Sequence, residues 1–343
     1  MLGLMRSTMR MVVVCGLALF ARAAAADDQW VAYEPGANAN GKRVVLVSGD
    51  EEYRSEQVFP ALARILATHH GFHCTVLFAI DPKDGAINPN VTTNIPGLNH
   101  LDQADLLVLF TRFRNLPDDQ MAHFDRYFQS GKPIVAFRTA THAFQLPASS
   151  TYAKYSWNSK LDGWQGGFGR QILGETWVAH HGKHGKESTR GVIAPGAESH
   201  PILKGIKSGD VWGPTDVYRV NLPLPGDSQP LLLGEVLTGM QPGDPAVSGP
   251  QNDPLMPIAW VKTFDAAEGK KARIFTSTIA GGEDFENEGL RRMSVNACFW
   301  ALGLEETIPA KSKVDFVGDY KGLKFRNNGF DPGIKPASLK QGR

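Results

Sequence analysis

Four short apolar runs in the first 140 residues constrain the fold more than any other feature of the sequence. They are KRVVLVSG (42–49), FHCTVLFAI (72–80), ADLLVLF (104–110) and PIVAFR (133–138). Each lacks the apolar–polar alternation of a half-exposed strand, which is the mark of a strand buried on both faces. Helical segments follow the first and the third. Val58, Leu62, Ile65 and Leu66 recur at helical spacing before Gly71. Pro117, Asp118 and Asp119 open a second helix, with proline early and acids at the positive end of the dipole, and Met121, Phe124 and Phe128 form its buried stripe. Strands alternating with helices in this way predict an α/β fold with a parallel sheet wound by helices.

Beyond residue 140 the pattern loosens. Residues 148–170 mix aromatics with glycine and read as an insertion loop over the sheet. Further strands are expected at 190–194, 216–220, 230–237, 257–264 and 272–279, and a last helix carries Leu290, Met293, Ala297 and Trp300 on its buried stripe. The expected organisation is a leader over 1–26, a lead-in over 27–41, one domain over 42–305, and an irregular tail over 306–343 that wraps the surface or frays.

The leader reading rests on Arg6 and Arg10, the apolar run Met11–Phe20, and Ala24-Ala25-Ala26 as a small-residue cleavage site. The run is too short to span a bilayer, and no later one approaches the roughly 20 residues a spanning helix needs. The expectation is export to the periplasm or beyond, with no membrane span. After residue 26 the chain holds 33 Lys and Arg against 35 Asp and Glu. This near-balance gives no electrostatic basis for a nucleic-acid partner. The two remaining cysteines, Cys74 and Cys298, sit in apolar stretches and are expected in the core.

In an open parallel sheet, ligands bind beyond the carboxyl ends of the strands. That rule selects the loop with Asp50, Glu52 and Arg54, the turn with Arg112, the turn with Arg138, Thr139 and His142, and the segment with Glu283 and Asp284. Arginine directly after two buried strands calls for a partner, because an unpaired buried charge is costly. Pairing of Arg112 and Arg138 with Asp50, Glu51 or Glu52 is one expectation and ligand binding is the other. The run His180-His181-Gly182-Lys183-His184 supplies imidazoles for acid–base work, or for a divalent metal such as zinc at His181 and His184. Trp177, Trp157, Trp164 and Tyr152 offer stacking faces for a sugar. The turn after the fourth strand has no Cys or Ser, so covalent acyl chemistry is disfavoured. The phosphate-cradling glycine motifs are also absent.

Taken in order, VVLVSGDEEYRSE, ADLLVLFTRFRNLPDDQM, GKPIVAFRTATHAF, FGRQILGETWVAHHGKHG, HPILKGI and RIFTSTIAGGEDFENEGLRRMSVNACFWALGLE resemble the ThuA-like (trehalose-utilisation) family over about 42–305. The resemblance implies a flavodoxin-like, mostly parallel sheet of the class I glutamine amidotransferase superfamily, with helices on both faces. Thr139, Ala140 and Thr141 stand where an amidotransferase would hold its cysteine, so amidotransfer is not implied. The family link to 3-keto-glycosides implies an exported enzyme acting on such a sugar. His142, His180, His181 and Arg138 would be its catalytic residues, with Glu52 nearby. The Gly-His-Asp motif of many relatives is replaced by Gly281-Gly282-Glu283-Asp284. Other readings are a carbohydrate-binding protein without catalysis and a metal-dependent hydrolase of another small polar substrate.

Overall fold

The computed structural model describes residues 29–36 and 38–340. The leader expected over 1–26 lies outside them. In chain order the strands are β1 (Trp30–Tyr33), β2 (Arg43–Gly49), β3 (His73–Phe78), β4 (Leu106–Thr111), β5 (Ile134–Phe137), β6 (Ala179–His180), β7 (Thr189–Ile193), β8 (Trp212–Gly213), β9 (Tyr218–Arg219), β10 (Gln229–Val236), β11 (Met256–Asp265) and β12 (Lys271–Ser277). The α-helices are α1 (Ser55–His70), α2 (Asp118–Gln129) and α3 (Glu288–Ala301). No helix among the described residues is long and apolar enough to cross a membrane.

Ten strands form one mixed sheet in the order β1-β3-β2-β4-β5-β12-β11-β10-β7-β8. The run β3-β2-β4-β5-β12 is parallel throughout, and its order is that of flavodoxin-like doubly wound sheets. The continuation from β12 to β8 is antiparallel. Only residues 266–270 join β11 to β12, far fewer than a parallel crossover requires, so that pair can only be a hairpin.

The apolar runs divide their side chains between two cores. Val44, Leu46, Val108, Phe110, Val135 and Phe137 pack with α1 and α3, whereas Val45, Val47, Leu107, Leu109, Ile134 and Ala136 pack with α2. This is the two-residue period of a strand with apolar cover on both sides. Helix ends follow their sequence signals. Gly71 stops α1 in the left-handed region at φ 74°, and a Cβ there would lie 1.9 Å from the Asn38 carbonyl oxygen. At the start of α3 the Asn287 side chain accepts from the Leu290 amide at 2.8 Å. Cys74 and Cys298 are buried and unpaired.

The strand expected at 216–220 shrinks to β9, which pairs only with β6. Asp216 and the Val217 carbonyl are committed to the loop over 180–184 instead. The tail wraps the body as a strap. Ile308 and Val314 are buried, and Phe316 stacks on Tyr320 at 4.4 Å. The Arg326 and Gly329 amides donate to the Glu52 and Glu51 carbonyls at 3.0 and 3.1 Å. Near its end, the Leu339 carbonyl accepts from the Tyr33 hydroxyl at 2.9 Å.

Candidate functional site

The carboxyl ends of β2, β4 and β5 bring together the loops that the sequence singles out. Asp50 is fully buried and serves the loop itself. It accepts from the Glu52 and Tyr53 amides and from the Thr139 hydroxyl, the last at 2.5 Å. Asp50 and Thr139 therefore join the β2 and β5 turns and present no group to a ligand, contrary to the substrate-binding expectation. Arg112 bonds Glu51 and also meets Glu52 at 3.1 Å, while Arg114 meets Glu51 at 2.7 Å.

Arg138 follows β5 directly and is held at φ 45°. Its backbone thus sits in a region that costs a non-glycine residue about 1–3 kcal/mol. The surroundings enforce it. The guanidinium is wholly buried between the rings of Tyr53 (4.3 Å) and Tyr218 (3.8 Å). It donates to the carbonyls of Asp216 and Thr278 at 2.7 and 2.6 Å and to the Asp216 carboxylate at 2.8 Å. Burial opposes its charge, but Tyr218, Tyr53 and Asp216 outweigh that and hold its pKa above the usual arginine value. Its partner is not in the 50–52 loop, as one reading of the sequence expected. With no exposed surface it cannot touch substrate, so it is a positioning residue and not a catalytic one.

Asp216 is the hub. One carboxylate oxygen accepts from Arg138 and from His184 Nδ1, both at 2.8 Å, and the other meets His180 Nδ1 at 2.7 Å. Burial alone would raise its pKa. The hydrogen bonds from His180 and His184 and the charge of Arg138 overcome this and depress it well below the carboxylate range. Because Asp216 occupies the Nδ1 side of both rings, each can present Nε2 outward. His180 is the more exposed of the two.

His181 lies elsewhere. Successive side chains on a strand point to opposite faces, and His181 follows β6 with its Nε2 against the Gln251 carbonyl at 2.7 Å. The expected metal pair of His181 and His184 is therefore replaced by a group of His180, His184 and Asp216, one ligand atom of each lying within 4.8 Å of the others. Two imidazoles and a carboxylate form a donor set suited to divalent zinc, iron or manganese. The depressed pKa of Asp216 keeps its charge available, so the residues fit such an ion.

His142 sits beside this group at 3 % exposure, among Phe113 (5.0 Å), Trp177 (5.1 Å) and Tyr218 (6.1 Å). Burial, then the charges of Arg112, Arg138 and His180, push its pKa well below the usual imidazole value, so it is neutral near pH 7. Trp177 also lies 5.9 Å from His180 and 6.4 Å from Trp157, which makes an aromatic wall along the imidazoles. Glu52 is half-buried beside them. Burial raises its pKa, Arg112 lowers it, and the charge of His180 also acts on it.

On the other side of His184 opens a cleft of about 700 Å³, bounded by Trp212, Gln241, Glu283, Lys324 and Phe325. Phe325, from the strap, meets the His184 ring edge-on at 3.8 Å. Glu283 lines this cleft. Asp284 does not. It is buried and spent on the Thr215 amide and hydroxyl (3.0 and 2.6 Å) and the Gly281 amide (2.6 Å). Arg54 also turns away, toward Glu56 and Asp331. It opens α1 in the left-handed region, which aims its side chain at the strap.

Sequence reasoning did not single out Asp216, Tyr53, Tyr218 or Phe325. The one local signal was an aspartate and a tyrosine two residues apart in a segment otherwise read as a strand.

A family model described as ThuA: Trehalose utilisation matches residues 43–301. No curated protein matches the chain. Among solved structures it is similar to a ThuA-like protein from Parabacteroides merdae, with 15 % identity over 84 % of this chain and 98 % of that one and a TM-score of 0.47. It is also similar to a ThuA-like protein from Bacteroides uniformis, with 15 % identity, 78 % and 93 % coverage and a TM-score of 0.48. A β-galactosidase from a Rahnella species matches at 13 % identity over 78 % of this chain and 32 % of that one, with a TM-score of 0.43. By the match that spans most of its length, this chain belongs to the ThuA trehalose-utilisation family.

Proposed function

We propose that this chain is an enzyme that cleaves a 3-keto-glycoside by proton abstraction, and that the leader over 1–26 exports it. The observation that carries the catalytic reading is a single buried carboxylate fixing two imidazoles, His180 and His184, through their Nδ1 atoms. Family membership, with its description of trehalose utilisation, supports a sugar as substrate. The indole faces of Trp157 and Trp177 suit the apolar face of a sugar ring.

A ketone at C3 acidifies the hydrogen on C2, and the glycosidic oxygen on C1 is then correctly placed to leave. His180 Nε2 takes the C2 proton, the C1–O bond breaks, and a C1–C2 double bond forms beside the ketone. The departing oxygen takes a proton from Glu52, whose pKa burial raises against the opposing charge of Arg112. Asp216 holds the base in the correct tautomer and stabilises the imidazolium that forms, while Arg138 keeps Asp216 ionised and in place. A divalent ion held by His180, His184 and Asp216 would supply Lewis-acid stabilisation of the enolate oxygen.

The test is turnover of 3-keto-disaccharides and their parent sugars by the purified protein, with and without added divalent metal. Conversion of the keto forms only is the expected result. Saturable binding without conversion would instead favour the carbohydrate-binding reading, for which the Trp157–Trp177 wall is the specific observation. Hydrolysis of the parent sugars would overturn the role of the ketone.

A further inference from the structure

The strap does not lie flush on α1. Between them is a second cleft, of about 420 Å³, which shares no lining residue with the one beside His184. Its floor is one face of α1, where Glu56, Pro60 and Arg64 recur every four residues. Leu323, Phe330 and Leu339 of the strap close it with apolar surface.

Two polar atoms of this floor are buried without a partner: Glu56 Oε2 and Arg64 Nε. The other Glu56 oxygen is held by Arg54 Nε at 2.7 Å. Arg64 stands 5.9 Å over the Tyr33 ring, and among the described residues neither it nor Lys321, at the same cleft, has a carboxylate in ion-pair contact. The acids at the rim do not change this, because Asp331 is drawn to Arg54 at 3.4 Å and Asp319 is exposed. Burial pushes the Glu56 carboxyl up to about 7, against the opposing effect of Arg54. Near neutral pH its orphan oxygen therefore carries a proton in a large share of molecules and, like Arg64 Nε, is a donor without an acceptor. Buried orphan donors against apolar walls call for an acceptor-rich head on an apolar body.

We propose that this cleft is a ligand site for a small carboxylate with an apolar chain, its head on Arg64 and its chain against Pro60, Phe330 and Leu339. An amine of the same length would meet Arg64 and Lys321 as like charges. An alcohol would bury the same surface but carry no charge to pair with Arg64. The proposal uses no residue of the His180 site and stands apart from the sugar chemistry.

The experiment is calorimetric titration of the full chain with octanoate, octylamine and 1-octanol, repeated on Arg64→Gln and on Leu339→Trp, which fills the cleft. The expected result is one octanoate per chain, at least tenfold tighter than the amine or alcohol, weakened at least tenfold by either substitution, and tighter at pH 6 than at pH 8. Equal binding of all three probes, unchanged octanoate binding in Arg64→Gln, or no saturable octanoate binding would each overturn it. Thermal unfolding of both variants confirms that they are folded when the titrations are made.

Discussion

The Asp216 carboxylate and the Arg138 guanidinium meet at 2.8 Å with neither side chain exposed to solvent. One charge stands on a strained turn after β5 and the other beside β9, 78 residues later. Removing either leaves its partner buried without a counter-charge. Asp216→Asn should therefore cost about 3–5 kcal/mol, read by urea unfolding, and should also release both imidazoles. A loss below about 1 kcal/mol would show that the pair is not buried as described.

His180 and His181 should separate cleanly. His180→Ala is expected to lower turnover of a keto-glycoside by about 10²–10⁴-fold, the usual contribution of a positioned acid–base group. His181→Ala, away from the hub, should leave it within a few-fold. Equal losses in single-turnover assays would mean that the partition by strand face is wrong.

Metal uptake checks the three-residue group directly. The protein equilibrated with zinc or manganese should retain one ion per chain by elemental analysis. His184→Ala should lower that affinity by tenfold or more, whereas His181→Ala should not. Retention unaffected by loss of His184 would place the ion elsewhere.

His142 is expected to titrate well below the usual imidazole value in ring-proton NMR, since burial and the nearby Arg112, Arg138 and His180 depress its pKa. Its folded value lies below the unfolded one of about 6.5, so below pH 6.5 the unfolded chain binds the extra proton first. Its contribution to stability is thus complete above pH 6.5 and declines as pH falls toward the folded value. A His142→Asn variant should lack that decline, and a titration midpoint near 6.5 in the wild type would contradict the burial.

The parallel core was legible because its signal is local. Val44 to Val47 read as a two-sided strand from four adjacent letters, and the loops after β2, β4 and β5 followed from their position. The hub was not legible, because its members are 36 and 78 residues apart and the one local mark near Asp216 is Tyr218, two residues on, in a segment that reads as a strand. His180 and His181 are equivalent as letters; only pairing with β9 decides which one faces Asp216. Arg54 and Asp284 misled for a related reason, since a polar residue in the correct loop can spend its groups on holding that loop together.

The strap carries a consequence for how the molecule is made. Phe325 packs on His184, the Arg326 and Gly329 amides hold the 51–52 turn, and the Leu339 carbonyl closes on Tyr33 near the start of the described chain. A ribosome delivers these residues after every strand of the sheet and all three helices. The sheet and its helices can form while synthesis continues, but His184 gains its contact with Phe325 only after residue 325 has emerged. The candidate site is therefore completed only after the sheet and its helices have been made, by the part of the sequence that carries the least pattern of its own.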